Sequence, residues 1–189
     1  VYLAYYKGRG IITHSPDLEK KEIDIKTKLQ QTLQNQSSSS PGQNLRLEGI
    51  FPVGRLDKDS EGLIILTNDG RVTAPLLAPE ANIAKTYEVE VDKLVNNYLI
   101  KHLSEGVNIE GYQTKPATAE KKSSKHLLLT IKEGKKHQIR RMCAALGFQV
   151  QSLKRIKIAN IELGEIKPNQ FRKITGPELK EFLQLLNVK

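Results

Sequence analysis

Residues 62 to 67, Gly62-Leu63-Ile64-Ile65-Leu66-Thr67, form an uninterrupted apolar run closed by Asn68-Asp69-Gly70. Such a run suits a strand buried on both faces and followed by a turn. The remaining patterns mix two periods. Tyr87, Val89 and Val91 alternate with Thr86, Glu88 and Glu90, so the odd positions share one face of a half-buried strand. Leu127, Leu129 and Ile131 mark another strand that meets a turn at Glu133-Gly134. Directly after it, Ile139, Met142, Cys143 and Leu146 form one helical stripe ended by Gly147, with Arg140 and Arg141 projecting away from it. Leu179, Phe182, Leu183 and Leu186 repeat that spacing behind Pro177. Helices are also predicted over residues 94 to 103, 71 to 78 and, from Ile25, Leu29 and Leu33, just before residue 34. Residues 2 to 6 and 11 to 13 read as extended segments around Lys7-Gly8-Arg9-Gly10. Strands and helices follow no regular β-α-β alternation, so the expected class is α+β.

With 189 residues and 38% hydrophobic content, the chain can bury the core of one domain, and we expect a single compact unit with two lobes. Residues 34 to 44 are rich in Gln, Asn and Ser, too polar to offset their ordering entropy, and read as a mobile surface loop. No apolar run approaches the roughly 18 residues of a membrane span, and no secretory leader is visible, so the chain reads as a soluble, cytoplasmic protein. One cysteine, Cys143, excludes an internal disulfide and a cysteine-cluster zinc site. His14, His102, His126 and His137 show no ligand spacing, so no metal is expected. Charge is unevenly placed. Residues 115 to 157 hold twelve Lys and Arg against Glu120 and Glu133, in a chain whose net charge is +9. Such a stretch suits a polyanion, bound largely through counterion release; a solvated lysine-rich surface is the bland alternative.

The segment with chemical content is Phe51-Pro52-Val53-Gly54-Arg55-Leu56-Asp57-Lys58-Asp59-Ser60-Glu61-Gly62, a polar loop held by the buried strand. Composition alone reads it as a charged turn. Its order of residues says more. Gly54-Arg55-Leu56-Asp57, continuing to Leu66-Thr67-Asn68-Asp69-Gly70, resembles the signature of the RsuA-type pseudouridine synthases. Three further matches follow in order: Lys85-Thr86-Tyr87, then residues 133 to 142 (Glu-Gly-Lys-Lys-His-Gln-Ile-Arg-Arg-Met), then Leu153-Lys154-Arg155 with Ile158. Gln138-Ile139-Arg140-Arg141-Met142-Cys143 leans the resemblance toward the RluF or RluE side of that group.

The resemblance implies one catalytic domain over residues 1 to 189, with a mixed, mostly antiparallel sheet in two lobes, flanking helices and a central RNA-binding cleft. No separate amino-terminal RNA-binding domain is visible. It implies an isomerase that converts a uridine to pseudouridine in ribosomal RNA, of the large subunit on this lean, after flipping the nucleotide out of its stack. Asp57 would be the catalytic carboxylate, Arg140 the cation that keeps it ionised, and Tyr87 the ring stacked on the target base. Arg55 would fill the gap left by the flipped nucleotide and Ile139 would wall the base. Lys7, Arg141, Lys154 and Arg155 would contact RNA, and His137 could join them. Cys143 reads as packing. Addition of Asp57 to sugar or base, and removal of a ribose proton, both stay open as routes. Neither exchanges electrons, so no cofactor is expected. Lys7-Gly8 stands where the family has a lysine-proline pair, which loosens the turn and keeps the lysine. The rival reading is a non-catalytic RNA-binding or ribosome-assembly protein on the same fold. A glycoside hydrolase is a weaker rival, because the chain has no Trp and only 5% aromatic residues for a sugar surface.

Overall fold

The computed structural model describes residues 1–14, 23–37 and 48–188, with backbone only at 33–37. In chain order the elements are Tyr2–Lys7 (β1), Ile25–Ser37 (α1), Phe51–Val53 (β2), Glu61–Thr67 (β3), Thr73–Leu77 (α2), Lys85–Val91 (β4), Asn97–Glu105 (α3), Asn108–Ile109 (β5) and Tyr112–Gln113 (β6). They continue with Thr118–Lys121 (β7), His126–Ile131 (β8), Gln138–Ala145 (α4), Val150–Ile158 (β9), Ile161–Glu162 (β10), Phe171–Lys173 (β11) and Gly176–Leu185 (α5). The class is α+β, and the pairs β1–β11, β1–β3, β2–β3, β4–β8, β4–β9, β5–β6 and β7–β8 are antiparallel. The described chain divides into two compact units, residues 1–76 with 160–189, and residues 77–159.

In the first unit β1 lies between β3 and β11, and β2 also pairs with β3. The apolar run of β3 is buried along Gly62–Thr67, as its sequence predicts. Each face has its own cover. Leu3, Tyr5, Ile64 and Leu66 form one face and pack with Ile11, Ile25 and Leu29, so α1 closes that side. On the opposite face the Tyr2 ring meets the Phe182 ring of α5 edge-on, with centroids 6.4 Å apart. Burying aliphatic side chains on two faces is the main stabilising contribution here, at roughly 1.5–3 kcal/mol for each large side chain. Asp24 caps α1 by accepting from the Thr27 amide at 2.8 Å. The helix continues to Ser37, so residues 34 to 37 are helical and only residues 38 to 44 of the expected loop lie outside the described residues.

In the second unit the order is β9-β4-β8-β7, with β5 and β6 as a separate hairpin. Tyr87, Val89 and Val91 of β4 share the buried face with Leu127 and Leu129 of β8. One expectation shifts. Residues 94 and 95 precede α3, which starts after Asn96 because its Oδ1 accepts from the Leu99 amide at 2.9 Å. Leu94 and Tyr98 are exposed, while Val95, Leu99 and Leu103 face the core. Residues 71 to 78, expected as one helix, divide into a 3-10 turn over Gly70–Val72 and the short α2.

Candidate active site

The chain leaves β2 through Gly54, whose φ of +84° belongs to the left-handed region that a side chain disfavours. The turn sets Arg55 outward, exposed, while Leu56 points inward and Asp57 stands half-buried. The loop is then tied at each following step. Thr13 Oγ1 donates to the Leu56 carbonyl at 2.9 Å and accepts from the Leu56 amide at 3.2 Å, bracing the residue before Asp57. Gly10 donates its amide to the Lys58 carbonyl at 2.8 Å, and Ser60 closes the turn by donating to the Asp57 carbonyl at 3.0 Å.

Lys7 completes the brace. Its side chain is fully buried, and Nζ donates to the carbonyls of Ser60 at 2.7 Å, Gly8 at 3.2 Å and Lys58 at 3.5 Å. This corrects the expected RNA contact, because a buried ammonium surrounded by its own loop has no surface from which to meet a phosphate. The neighbouring glycine also has a defined use. Gly8 donates its amide to Asn169 Oδ1 at 3.0 Å, and a Cβ at this position would lie 2.8 Å from that oxygen. Proline would lose the donor and crowd the acceptor. Glycine here serves a bond and does not merely loosen a turn.

Tyr87 occupies the central strand of the second unit, 7% exposed, with Leu129 as its partner on one side and Arg155 on the other. The β4–β9 register shifts between Thr86 and Tyr87. A bulge at this step increases local twist and re-aims the side chain. Arg155 is only 4% exposed, so its expected role as a surface phosphate contact is corrected to that of a buried cation. Its charge acts on Lys85, whose pKa falls to about 8 mainly through burial and secondarily through Arg155. Lys154, next in sequence, lies 3.6 Å from Glu88.

The turn before α4 is held by Glu133, which is 4% exposed. Its carboxylate accepts from the Tyr112 hydroxyl at 2.7 Å, from the Lys115 amide at 2.9 Å and from the Gln138 side-chain amide. Gln138 Oε1 in turn accepts from the Lys135 amide at 2.9 Å, and the Lys135 ammonium sits 4.5 Å from the Tyr112 ring centre. His137 takes a φ of +51° just before the helix. Ile139 is then 3% exposed on the apolar face with Met142 and Cys143. Arg140 donates to the Val150 carbonyl at 3.1 Å. Arg141 pairs with Glu110 at 2.6 Å. Both arginines are half-buried and held, where the helical spacing had them simply projecting outward. Burial pushes the Cys143 thiol up to about 12, which fits packing and not nucleophilic chemistry.

Thr13 and Glu133 were not singled out by sequence reasoning. Thr13 carries no periodic signal and reaches Leu56 across 43 positions. Glu133 stands inside a recognised motif, but only the fold reveals that it organises the motif's glutamine.

A family profile described as RNA pseudouridylate synthase matches residues 1–145. The chain is 37% identical over 186 residues to the uncharacterized RNA pseudouridine synthase YtzG of Bacillus subtilis, covering 95% of this chain and 72% of that protein. It is 39% identical over 137 residues to the dual-specificity RNA pseudouridine synthase RluF of Escherichia coli, covering 72% of this chain and 47% of RluF. Ribosomal large subunit pseudouridine synthase B of Bacillus subtilis is 33% identical over 193 residues, covering 98% and 72%. Among solved structures, one described as pseudouridylate synthase superposes with a TM-score of 0.79 at 28% identity, covering 98% of this chain and 73% of that one. The chain therefore belongs to the RNA pseudouridylate synthase family, in the group of RsuA, RluB and RluF, and is an isomerase of that class.

Proposed function

We propose that this chain isomerises a uridine of large-subunit ribosomal RNA, with Asp57 as the reacting carboxylate. The observation that carries the reading is the braced loop: the Thr13, Gly10 and Lys7 bonds fix the backbone on either side of Asp57 and leave its carboxylate half-buried. Positioning of this kind removes orientational entropy from the reaction. The rRNA assignment draws on the large-subunit relative and stays separate from the chemistry.

In the reaction the bond from uracil N1 to the ribose breaks, the base turns, and its C5 joins the same ribose carbon. The C5 proton leaves and N1 regains one, so no electrons enter or depart. Asp57 must be ionised to act as nucleophile or base, which in a desolvated setting calls for a cation. Arg140 is assigned that role, and Tyr87 the contact with the flipped base. Exposed Arg55 suits insertion into the stack that the base vacates. Ile139 is assigned to the wall of the base, while Arg141 and Lys154 would meet phosphates by exchanging their present partners Glu110 and Glu88.

The test is Asp57→Asn. Turnover on unmodified rRNA should vanish while RNA affinity persists; retained turnover removes Asp57 from the reaction. Comparing pseudouridine maps of rRNA from cells with and without the gene tests the address, which fails if no large-subunit position is lost.

A further inference from the structure

The twelve cations of the basic segment do not form one uniform face. Several are engaged locally: Lys115 Nζ donates to Asn82 Oδ1 at 2.6 Å and to the Pro79 carbonyl, Lys135 covers Tyr112, Arg141 pairs with Glu110, Lys154 with Glu88, and Arg155 is buried. The hairpin turn between β7 and β8 differs. Lys121, Lys122 and Lys125 are all exposed there, and among the described residues none of the three ammonium groups enters an ion pair.

The turn is also fixed in place. The amides of Lys122 and Ser123 donate to the His126 carbonyl at 2.9 and 3.1 Å, and Ser123 Oγ lies 3.0 Å from His126 Nδ1. Its outer backbone is pinned to the end of β4, because Val91 donates to the Lys125 carbonyl at 2.9 Å and Val95 to the Ser124 carbonyl at 2.7 Å. The same end carries Lys93, whose Nζ donates to the Gly147 carbonyl at 2.6 Å. The nearby acids are partly occupied: Glu90 lies 3.9 Å from His126 Nε2 and Asp92 accepts from the Gln149 amide, which leaves exposed Glu120 as the remaining carboxylate. Lys121 pairs in register with Leu127, and Leu127 with Val89, so Lys121 shares the sheet face of Tyr87. Two strand spacings and two residues along the strand place it roughly 12 Å from Tyr87.

We propose that the β7–β8 turn, through Lys121, Lys122 and Lys125, is a second RNA-docking surface that grips backbone phosphates flanking the target nucleotide. It rests on the reading that the substrate is RNA, and extends it to residues that the family motifs do not contain. A preordered cluster of unpaired ammonium groups contributes counterion release without first breaking a protein ion pair, which Arg141 and Lys154 must do. The bland reading is edge protection: β7 is the outermost strand of its sheet, and lysines there discourage pairing with another chain.

The test compares the parent protein with K121Q/K122Q/K125Q on an unmodified large-subunit rRNA transcript across a salt series. The expected result is a log–log salt slope shallower by roughly 2 to 3, from about 0.7–0.9 for each of the three lost contacts. An unchanged slope overturns the proposal, and so does a variant that self-associates while binding RNA like the parent, which assigns the lysines to edge protection. In the parent protein, acetylation of these three lysines should also slow when the transcript is present; equal reactivity with and without RNA overturns the proposal without any variant. If the parent binds the transcript but turns over none of its uridines, the rRNA address fails while the docking result stands on its own.

Discussion

The Lys7 ammonium donates to the Ser60 carbonyl at 2.7 Å, tying the last residue of β1 to the loop three residues past Asp57. We propose that a lysine placed this way serves turnover by holding the loop backbone, with no direct contact to RNA.

Lys7→Met should therefore leave RNA affinity within about twofold of the parent while turnover at saturating RNA falls roughly 10- to 100-fold, the scale of a small misplacement of reacting groups. Unpaired loop carbonyls should also cost about 1–3 kcal/mol of stability. Filter binding beside single-turnover kinetics separates the two; weakened binding with intact turnover would return Lys7 to the phosphate contacts.

Glu133→Ala removes the acceptor shared by Tyr112, Lys115 and Gln138, and so loosens the start of α4. We expect kcat to fall about tenfold with little change in KM, since the helix start positions Ile139 and Arg140. Glu133→Gln, which keeps a carbonyl acceptor, should recover part of that loss; equal kcat in both variants would show that the network is only structural.

Tyr5 is fully buried, and its hydroxyl has no hydrogen-bond partner among the described residues. Tyr5→Phe removes an unsatisfied polar atom and keeps the ring, so stability in urea should rise by about 1 kcal/mol with an unchanged m-value. A loss of stability would mean that the hydroxyl is satisfied in solution.

Lys85 titrates near 10.5 when unfolded and about 8 in the fold. Between those values the unfolded chain holds one more proton than the native one, so this group makes stability rise with pH from about 8 to about 10.5. Below pH 8 the native protein carries a poorly solvated charge. Lys85→Met should be more stable than the parent at pH 7, with the difference shrinking through that window. Parallel pH–stability curves would remove the effect.

What the sequence made legible follows from which forces leave a local trace. Two-sided burial writes a continuous apolar run, and β3 showed it; one-sided burial writes a period of two, and Tyr87, Val89 and Val91 of β4 showed that. The α4 stripe was equally readable through Ile139, Met142 and Cys143. The start of α3 was not, because Leu94 belongs to the apolar spacing yet lies exposed ahead of the Asn96 cap. Charge was the poorest guide to exposure. Lys7 and Arg155 are cations that sequence assigns to the surface, and only distant partners such as the carbonyls around Ser60 reveal their burial. Asp57 was legible as a motif, whereas the Thr13 brace beside it depends on a contact across 43 positions.

The first unit is discontinuous in sequence, and this bears on synthesis. β1 pairs with β11, Tyr6 donates to the Gln170 carbonyl, and Gly8 donates to Asn169, so residues at the start of the chain wait for partners more than 160 positions later. Residues 77–159 are contiguous and have no such delay. On a translating ribosome the segment bearing Tyr87 and Arg140 can complete its pairing first, whereas the sheet beneath the Asp57 loop closes only after residue 173 has emerged. The loop that carries Asp57 thus gains its full support only once residues 171 to 173 have joined β1.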